Sequence, residues 1–197
     1  MKTGLILLAA GASSRLGRPK QLLQYQGQTL LRRAAEAAVA SGCQPIVIVT
    51  GAQHAALLPE LAGLPVQVMH CADWAAGMGA SIKTGLAGLE DQPAGTALSA
   101  VIVLLCDQPL VTPELLQQLV AQHAATEQSI VASAYAGTVG VPVLFGLEAW
   151  PLLRGLADTA GAGQLLKHYP ELLATVPFAD GAVDVDTEQQ YEALLGR

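Results

Sequence analysis

Three uninterrupted apolar runs constrain the fold of this sequence more than any other feature. Leu5 to Ala9, Pro45 to Val49 and Ala100 to Leu105 show no alternation of polar and apolar residues. A strand with one face in water alternates; a strand that is apolar throughout is covered on both faces. Sheets of that kind are parallel, and parallel neighbours need a long crossover, usually a helix. The stretches between the runs supply those helices. One is expected from about Thr29 to Ser41, closed by Gly42; others lie near His54 to Leu61 and over residues 79 to 89. Thr112-Pro113-Glu114 joins an N-cap to a first-turn proline and opens a helix to about Ala125. Further strands are read at Pro65 to Met69, Ser129 to Tyr135, Val141 to Phe145 and Ala182 to Val185. Helices are read around Leu147 to Leu153, around Gln164 to Tyr169 and from Thr187. The pattern predicts one domain, a three-layer Rossmann-like α/β/α sandwich with a mainly parallel, mixed sheet and right-handed crossovers.

Composition removes several classes of function. The 197 residues are 52% hydrophobic and 13% charged, which excludes disorder. No apolar run approaches the ~20 residues that cross a bilayer. A net charge of −6 argues against a general nucleic-acid binder, which displays a broad basic face. Cys43, Cys71 and Cys106 have neither the number nor the spacing of a disulfide framework or a zinc site, and they fit a reduced, cytoplasmic protein. His54, His70, His123 and His168 form no ligand spacing, and Trp74 and Trp150 read as core or rim residues. Lys2 followed by Leu-Ile-Leu-Leu-Ala-Ala-Gly-Ala has the outline of a secretory signal, but removing it would take away the first core strand.

In open α/β sheets ligands bind beyond the carboxyl ends of the strands, so the polar residues there carry the chemistry. The first run ends in a small-residue turn, Ala10 to Ser14, whose backbone can approach a ligand closely. Arg15, Arg18 and Lys20 follow. The chain has ten Lys and Arg, and three of them fall within these six positions. Pro19 biases Arg18 away from helical geometry, which places the cations on an extended loop. Backbone N–H groups followed by guanidinium and ammonium groups suit a polyphosphate. The spacing is not that of a P-loop, and no Gly-x-Gly-x-x-Gly fingerprint occurs.

The run Ala100 to Leu105 continues through Cys106 to Asp107, then Gln108-Pro109. A lone carboxylate there can hold Mg²⁺, or it can simply start a turn. Asp184 and Asp186 would point to the same side of a short strand, a costly arrangement unless a cation shares them; Asp186 or Thr187 can alternatively cap the last helix. Residues 74 to 86 place Gly77 and Gly79 at a helix start, with N–H groups open to an anion or a base edge, beside Ser81 and Lys83.

These motifs together resemble the MobA-like nucleotidyltransferases. Leu8, Ala9, Ala10, Gly11, Ser13, Arg15, Gly17 and Lys20 match the signature L-A-A-G-x-S-x-R-x-G-x-x-K. Asp107-Gln108-Pro109 resembles the family's D-x-P, and Asp184 to Thr187 its D-x-D-T. Trp74 to Ile82 is similar to the W-x-x-G-M-x-x-S-[IL] segment of the molybdopterin cytidylyltransferase branch. The resemblance implies a nucleotide-diphospho-sugar transferase type of fold and transfer of CMP from CTP to a phosphorylated acceptor, the molybdenum cofactor. It implies nucleotide binding by Leu8 to Ser13 (Ala12 included), Arg15, Arg18, Lys20, Gly79 and Ser81, with Arg15, Lys20 and Asp107 catalytic. It further implies Mg²⁺ on Asp107 and Asp184, with Asp186 beside them, acceptor contacts at Gly140 and Pro142, and a molybdoenzyme or maturation chaperone as recipient. Asp158 to Gly163 departs from the family's G-D-x-G-A-R-x-L-L, which leaves the acceptor open. A guanylyltransferase, a sugar-phosphate nucleotidylyltransferase, a non-catalytic nucleotide-binding module and a cofactor-handover protein remain alternatives.

Overall fold

A computed structural model of the chain describes residues 2–91, 97–126 and 128–197. The strands are β1 (Lys2–Ala9), β2 (Gln24–Tyr25), β3 (Gln28–Thr29), β4 (Ile46–Thr50), β5 (Gln67–His70), β6 (Leu98–Leu105), β7 (Ile130–Tyr135), β8 (Thr138–Gly146) and β9 (Leu173–Pro177). The α-helices are α1 (Leu30–Ala40), α2 (His54–Leu57), α3 (Met78–Glu90), α4 (Pro113–Thr126), α5 (Trp150–Arg154), α6 (Ala162–His168) and α7 (Glu188–Leu195). The main sheet runs β5-β4-β1-β6-β8-β7-β9. β8 is antiparallel to both of its neighbours, and every other pairing in the sheet is parallel.

The pleat explains why the central strands are apolar throughout. Leu5, Leu7 and Ala9 of β1 pack into one core layer, while Ile6 and Leu8 pack into the other. Ile46 and Ile48 alternate with Val47 and Val49 in the same way, as do Ile102 and Leu104 with Val101 and Val103. Residues of α1 and α4, such as Leu31, Ala35 and Leu116, cover the first face. Ile82 and Leu86 of α3, with Trp150 and Leu165 of α5 and α6, cover the second. The result is the expected mixed, mostly parallel sheet between two helical layers. Approach is close where it matters: a Cβ on Gly85 would lie 2.5 Å from Ile6 Cγ2, so α3 can lie down on β1 only with glycine there.

Two local expectations are corrected. β9 had no counterpart in the sequence reading; it is an edge strand, only partly buried, paired with β7. Residues 182–185 form no strand. The Val185 N–H is donated to the Asp107 carbonyl oxygen at 3.0 Å, and the turn that follows is consumed by the cap of α7. Pro142 lies in the interior strand β8, although proline in a sheet is usually confined to an edge. Proline has no N–H for a ladder, and the register of β7 against β8 shifts there, with the Ser133 hydroxyl donating to the Pro142 carbonyl at 2.7 Å.

The carboxyl ends of β1, β4 and β6 meet at one edge of the sheet. A third apolar cluster brings the C-terminal segment to that edge: Leu23, Tyr25 and Leu30 pack with Val185 and Leu194. Residues 184–187 are thereby laid against the cation-bearing loop that follows β1.

Candidate active site

The loop after β1 carries no regular secondary structure between Ala10 and Ser13, and Ser13 has a left-handed φ of +56°. Its shape is held by hydrogen bonds to residues 20 and 21. The Ser13 hydroxyl accepts from the Lys20 N–H at 3.0 Å, and the buried Gln21 side chain donates to the carbonyl oxygens of Ala9 and Gly11.

Lys20 stands at the centre of the site. Its ammonium donates to Asp107 Oδ2 at 2.5 Å and to Asp186 Oδ1 at 2.8 Å. The three side chains are 15%, 13% and 22% exposed, so the cluster is largely out of water. Burial works against the Lys20 charge, but Asp107 and then Asp186 outweigh it and raise its pKa above the ordinary value. Burial likewise disfavours the Asp186 carboxylate, yet Lys20 and Arg15 more than reverse this and hold it below the usual range. Arg15 donates to Asp186 Oδ2 at 2.6 Å from an exposed position, and Arg18 donates to Glu188 Oε1 at 2.6 Å. All three cations of the loop therefore meet carboxylates, and two of those carboxylates come from the C-terminal segment.

A cavity of about 360 Å³, of a size that holds a small ligand, opens beside this cluster. Its walls bring together Leu8, Ala9, Ala10, Gly11 and Ala12 with Lys20, Ser81 and Asp107, as the sequence reading expects. Trp74, Gly77 and Met78 add the apolar part. Other expected residues stand elsewhere. Ser13 supports the loop from behind and Ser14 faces the cavity in its place. Arg15 and Arg18 lie on the surface, outside the cavity lining. Gly79 does not line the cavity, and its N–H, expected to be open to a ligand, is donated to the Asp158 carbonyl at 2.8 Å. A Cβ on Gly79 would lie 2.1 Å from the Ala157 carbonyl oxygen, so glycine is required for this packing. Gly140 and Pro142 are outside the cavity on β8; Gly140 lies against the Tyr135 hydroxyl. Thr187 caps α7, and Asp186 is left to bind Lys20 and Arg15. Asp184 accepts from Gln190 Nε2 at 2.9 Å.

The carboxylates suit a hard divalent ion that shares its ligands with a substrate. Asp107 Oδ1 is buried without a hydrogen-bond partner. Burial, and then the neighbouring Asp186 and Asp107, raise the Asp184 pKa above its ordinary value, so an added cation would favour its charged form. Among the described residues no cluster of three or more His, Cys, Asp or Glu could hold a metal alone, so phosphate oxygens and water would complete the shell.

Residues 5–173 match the MobA-like NTP transferase domain. The chain belongs to that family. Among the family's relatives, the nicotine blue oxidoreductase of Paenarthrobacter nicotinovorans is 33% identical, covering 96% of this chain and 95% of that protein. The purine catabolism protein PucB of Bacillus subtilis is 28% identical over 96% of this chain and 94% of PucB. The crystal structure of Rv0371c from Mycobacterium tuberculosis superposes with a TM-score of 0.83 at 27% identity, covering all of this chain and 98% of the other. Rv0371c has also been solved in complex with manganese. In this MobA-like chain, the supporting roles of Gln21 and Gln190 are not legible in the sequence. Uncharged side chains give no charge pattern to find, and the buried Gln21 shows its role only through the backbone it binds. No helix among the described residues is long and apolar enough to cross a membrane.

Proposed function

We propose that the protein transfers a nucleoside monophosphate, CMP from CTP, to a phosphorylated small-molecule acceptor of molybdopterin type, with release of pyrophosphate. The observation that carries this reading is the meeting of Lys20 and Asp107 on the wall of the cavity that the Leu8 to Ala12 loop also lines. A phosphate monoester is already a nucleophile, so no covalent enzyme intermediate is needed. An acceptor phosphate oxygen bonds to the α-phosphorus while the bridging bond to the β-phosphate breaks, and pyrophosphate leaves with that electron pair. Lys20, joined by Arg15 and Arg18 from the surface of the same loop, neutralises the departing charge, and the loop backbone and Ser81 seat the nucleoside. Asp107 and Asp184 would hold Mg²⁺, which when bound draws charge from the phosphoryl oxygens. Trp74, Gly77, Met78 and Ser81, which carry the likeness to the cytidylyltransferase branch, favour CTP over GTP. A single domain with a cytoplasmic place of action and a molybdoenzyme or its maturation chaperone as recipient completes the proposal.

The 33% identical relative that is named an oxidoreductase supports a second reading, in which the same cavity serves a redox reaction. One panel separates the two. Pyrophosphate release is followed with each of the four nucleoside triphosphates, with and without Mg²⁺, against molybdopterin and sugar-phosphate acceptors. NADPH oxidation is followed in parallel with a quinoid dye. Release that is fastest with CTP is the expected result. NADPH turnover without pyrophosphate release overturns the transferase reading.

A further inference from the structure

We propose that Gln21 is a positioning residue that turns the peptide units of the loop after β1, so that their N–H groups face the bound nucleotide. The proposal rests on the nucleotide reading of the cavity and adds to it the device that gives the loop its polarity. Gln21 is only 1% exposed, and a primary amide buried so deeply is costly unless its atoms are bonded. Nε2 donates to the Ala9 carbonyl at 3.0 Å and to the Gly11 carbonyl at 2.8 Å, using both of its hydrogens. Oε1 accepts from the Ser13 hydroxyl at 3.3 Å, and that hydroxyl oxygen accepts from the Lys20 N–H at 3.0 Å.

Neighbouring bonds complete the pattern. The Ala10 carbonyl accepts from the Ala52 N–H, and the Ser13 carbonyl accepts from the N–H groups of Leu16 and Gly17. The carbonyls of Ala9, Ala10, Gly11 and Ser13 are all engaged within the protein, two of them by Gln21, whose buried side chain forms part of the cavity wall. In a trans peptide the C=O and the next N–H point in opposite directions. Pinning the Gly11 carbonyl to Gln21 therefore turns the Ala12 N–H away from Gln21, and pinning the Ser13 carbonyl to Leu16 and Gly17 turns the Ser14 N–H away from that turn. Among the described residues, the N–H groups of Gly11, Ala12, Ser13 and Ser14 donate no hydrogen bond. Gly11, Ala12 and Ser14 line the cavity. The loop thus presents a row of free donors while four of its carbonyls are engaged by the protein, the polarity that an anion or a ribose oxygen needs, and Gln21 holds two of those carbonyls.

The test measures CTP affinity by titration calorimetry in wild-type protein, Gln21→Met and Gln21→Glu. The Met variant keeps the bulk and loses three hydrogen bonds; CTP binding is expected to weaken about 10-fold. The Glu variant sets a carboxylate against two carbonyl oxygens, and a loss of about 100-fold is expected. A positioning role raises the KM for the nucleotide and leaves the acceptor KM in place. A merely structural role lowers the folded fraction, seen as reduced binding stoichiometry at unchanged affinity. Should neither Gln21 variant fold, Ser13→Ala decides, with an expected loss of about threefold and full affinity as the overturning result. Gln21→Met binding CTP as tightly as wild type overturns the proposal alone. Wild-type protein that binds none of the four nucleoside triphosphates overturns the nucleotide reading and this proposal with it.

Discussion

Replacing Lys20 by Met removes the one cation bonded to both Asp107 and Asp186, and its cost can be worked from the geometry. The two carboxylate oxygens bind a single ammonium at 2.5 and 2.8 Å. Two like charges about 5 Å apart in an effective dielectric near 20 repel by about 3 kcal/mol. That agrees with the range of about 3 to 5 kcal/mol for breaking a buried ion pair from one side. The cluster is mostly but not fully buried, so the lower figure applies, and for a chain of this length it corresponds to a fall in melting temperature of about 8 °C. The pH dependence fixes the cause. In the wild type the Asp186 pKa is held down, so its contribution is full above the unfolded value of about 3.9 and is lost as pH falls through the folded value. In the variant Asp186 keeps only the exposed Arg15, so burial and the neighbouring carboxylates are expected to raise its pKa, as burial and then its neighbours raise that of Asp184. A raised carboxylate is destabilising above its unfolded pKa, so the deficit is full at neutral pH and shrinks as acid supplies protons. Urea denaturation of both proteins at pH 7.5 and pH 5.0, with far-UV circular dichroism, reads this directly. A deficit below about 1 kcal/mol, or one as large at pH 5.0 as at pH 7.5, refutes the electrostatic account.

Three other outcomes follow from the same geometry. Glu188→Gln releases Arg18 from an ion pair that is half exposed at both ends, so stability should change by less than about 0.5 kcal/mol while triphosphate binding tightens a few-fold at low salt; unchanged binding at 20 mM salt would speak against Arg18 as a triphosphate ligand. Gly79→Ala drives a Cβ into the Ala157 carbonyl and should cost about 2 to 4 kcal/mol, whereas Gly163→Ala on α6 meets nothing within 4 Å and should stabilise by about 0.5 to 1 kcal/mol. Equal melting temperatures for the two variants would contradict the packing of the α3 start. Asp184→Asn should weaken Mn²⁺ binding about tenfold in electron paramagnetic resonance titrations with nucleotide present, and undiminished binding would remove Asp184 from the metal site.

The parts of the fold that the sequence revealed are those with redundant signals. The central parts of β1, β4 and β6 (residues 5–9, 46–49 and 100–105) are apolar at every position because both faces are covered, and α4 begins where Thr112 and Pro113 say it should, with the Thr112 hydroxyl accepting from the Leu115 N–H. β9 escaped notice because an edge strand needs little hydrophobic patterning: its core contact is chiefly Val176. The expected strand at 182–185 failed for the converse reason. Its alternating residues satisfied a strand pattern, but α1 and the ladder of β2 and β3 offer Val185 a pocket, not a strand edge. Local alternation describes which residues are buried, and it does not say against what.

By itself, the order of residues determined the layered architecture, the small-residue turn, the concentration of cations after it and the placing of Asp107 at a strand end, since each depends on neighbours a few positions apart. Only the tertiary structure decided how those charges are shared. Lys20 and Asp186 are 166 positions apart, and Arg18 and Glu188 are 170 apart. Their meeting depends on α7 burying Leu194 and on Val185 entering a pocket formed by residues 23 to 30. Hydrophobic burial is non-directional and acts across any chain separation, so it chose the partners of the charges, and the charges then set the protonation and the readiness of the site.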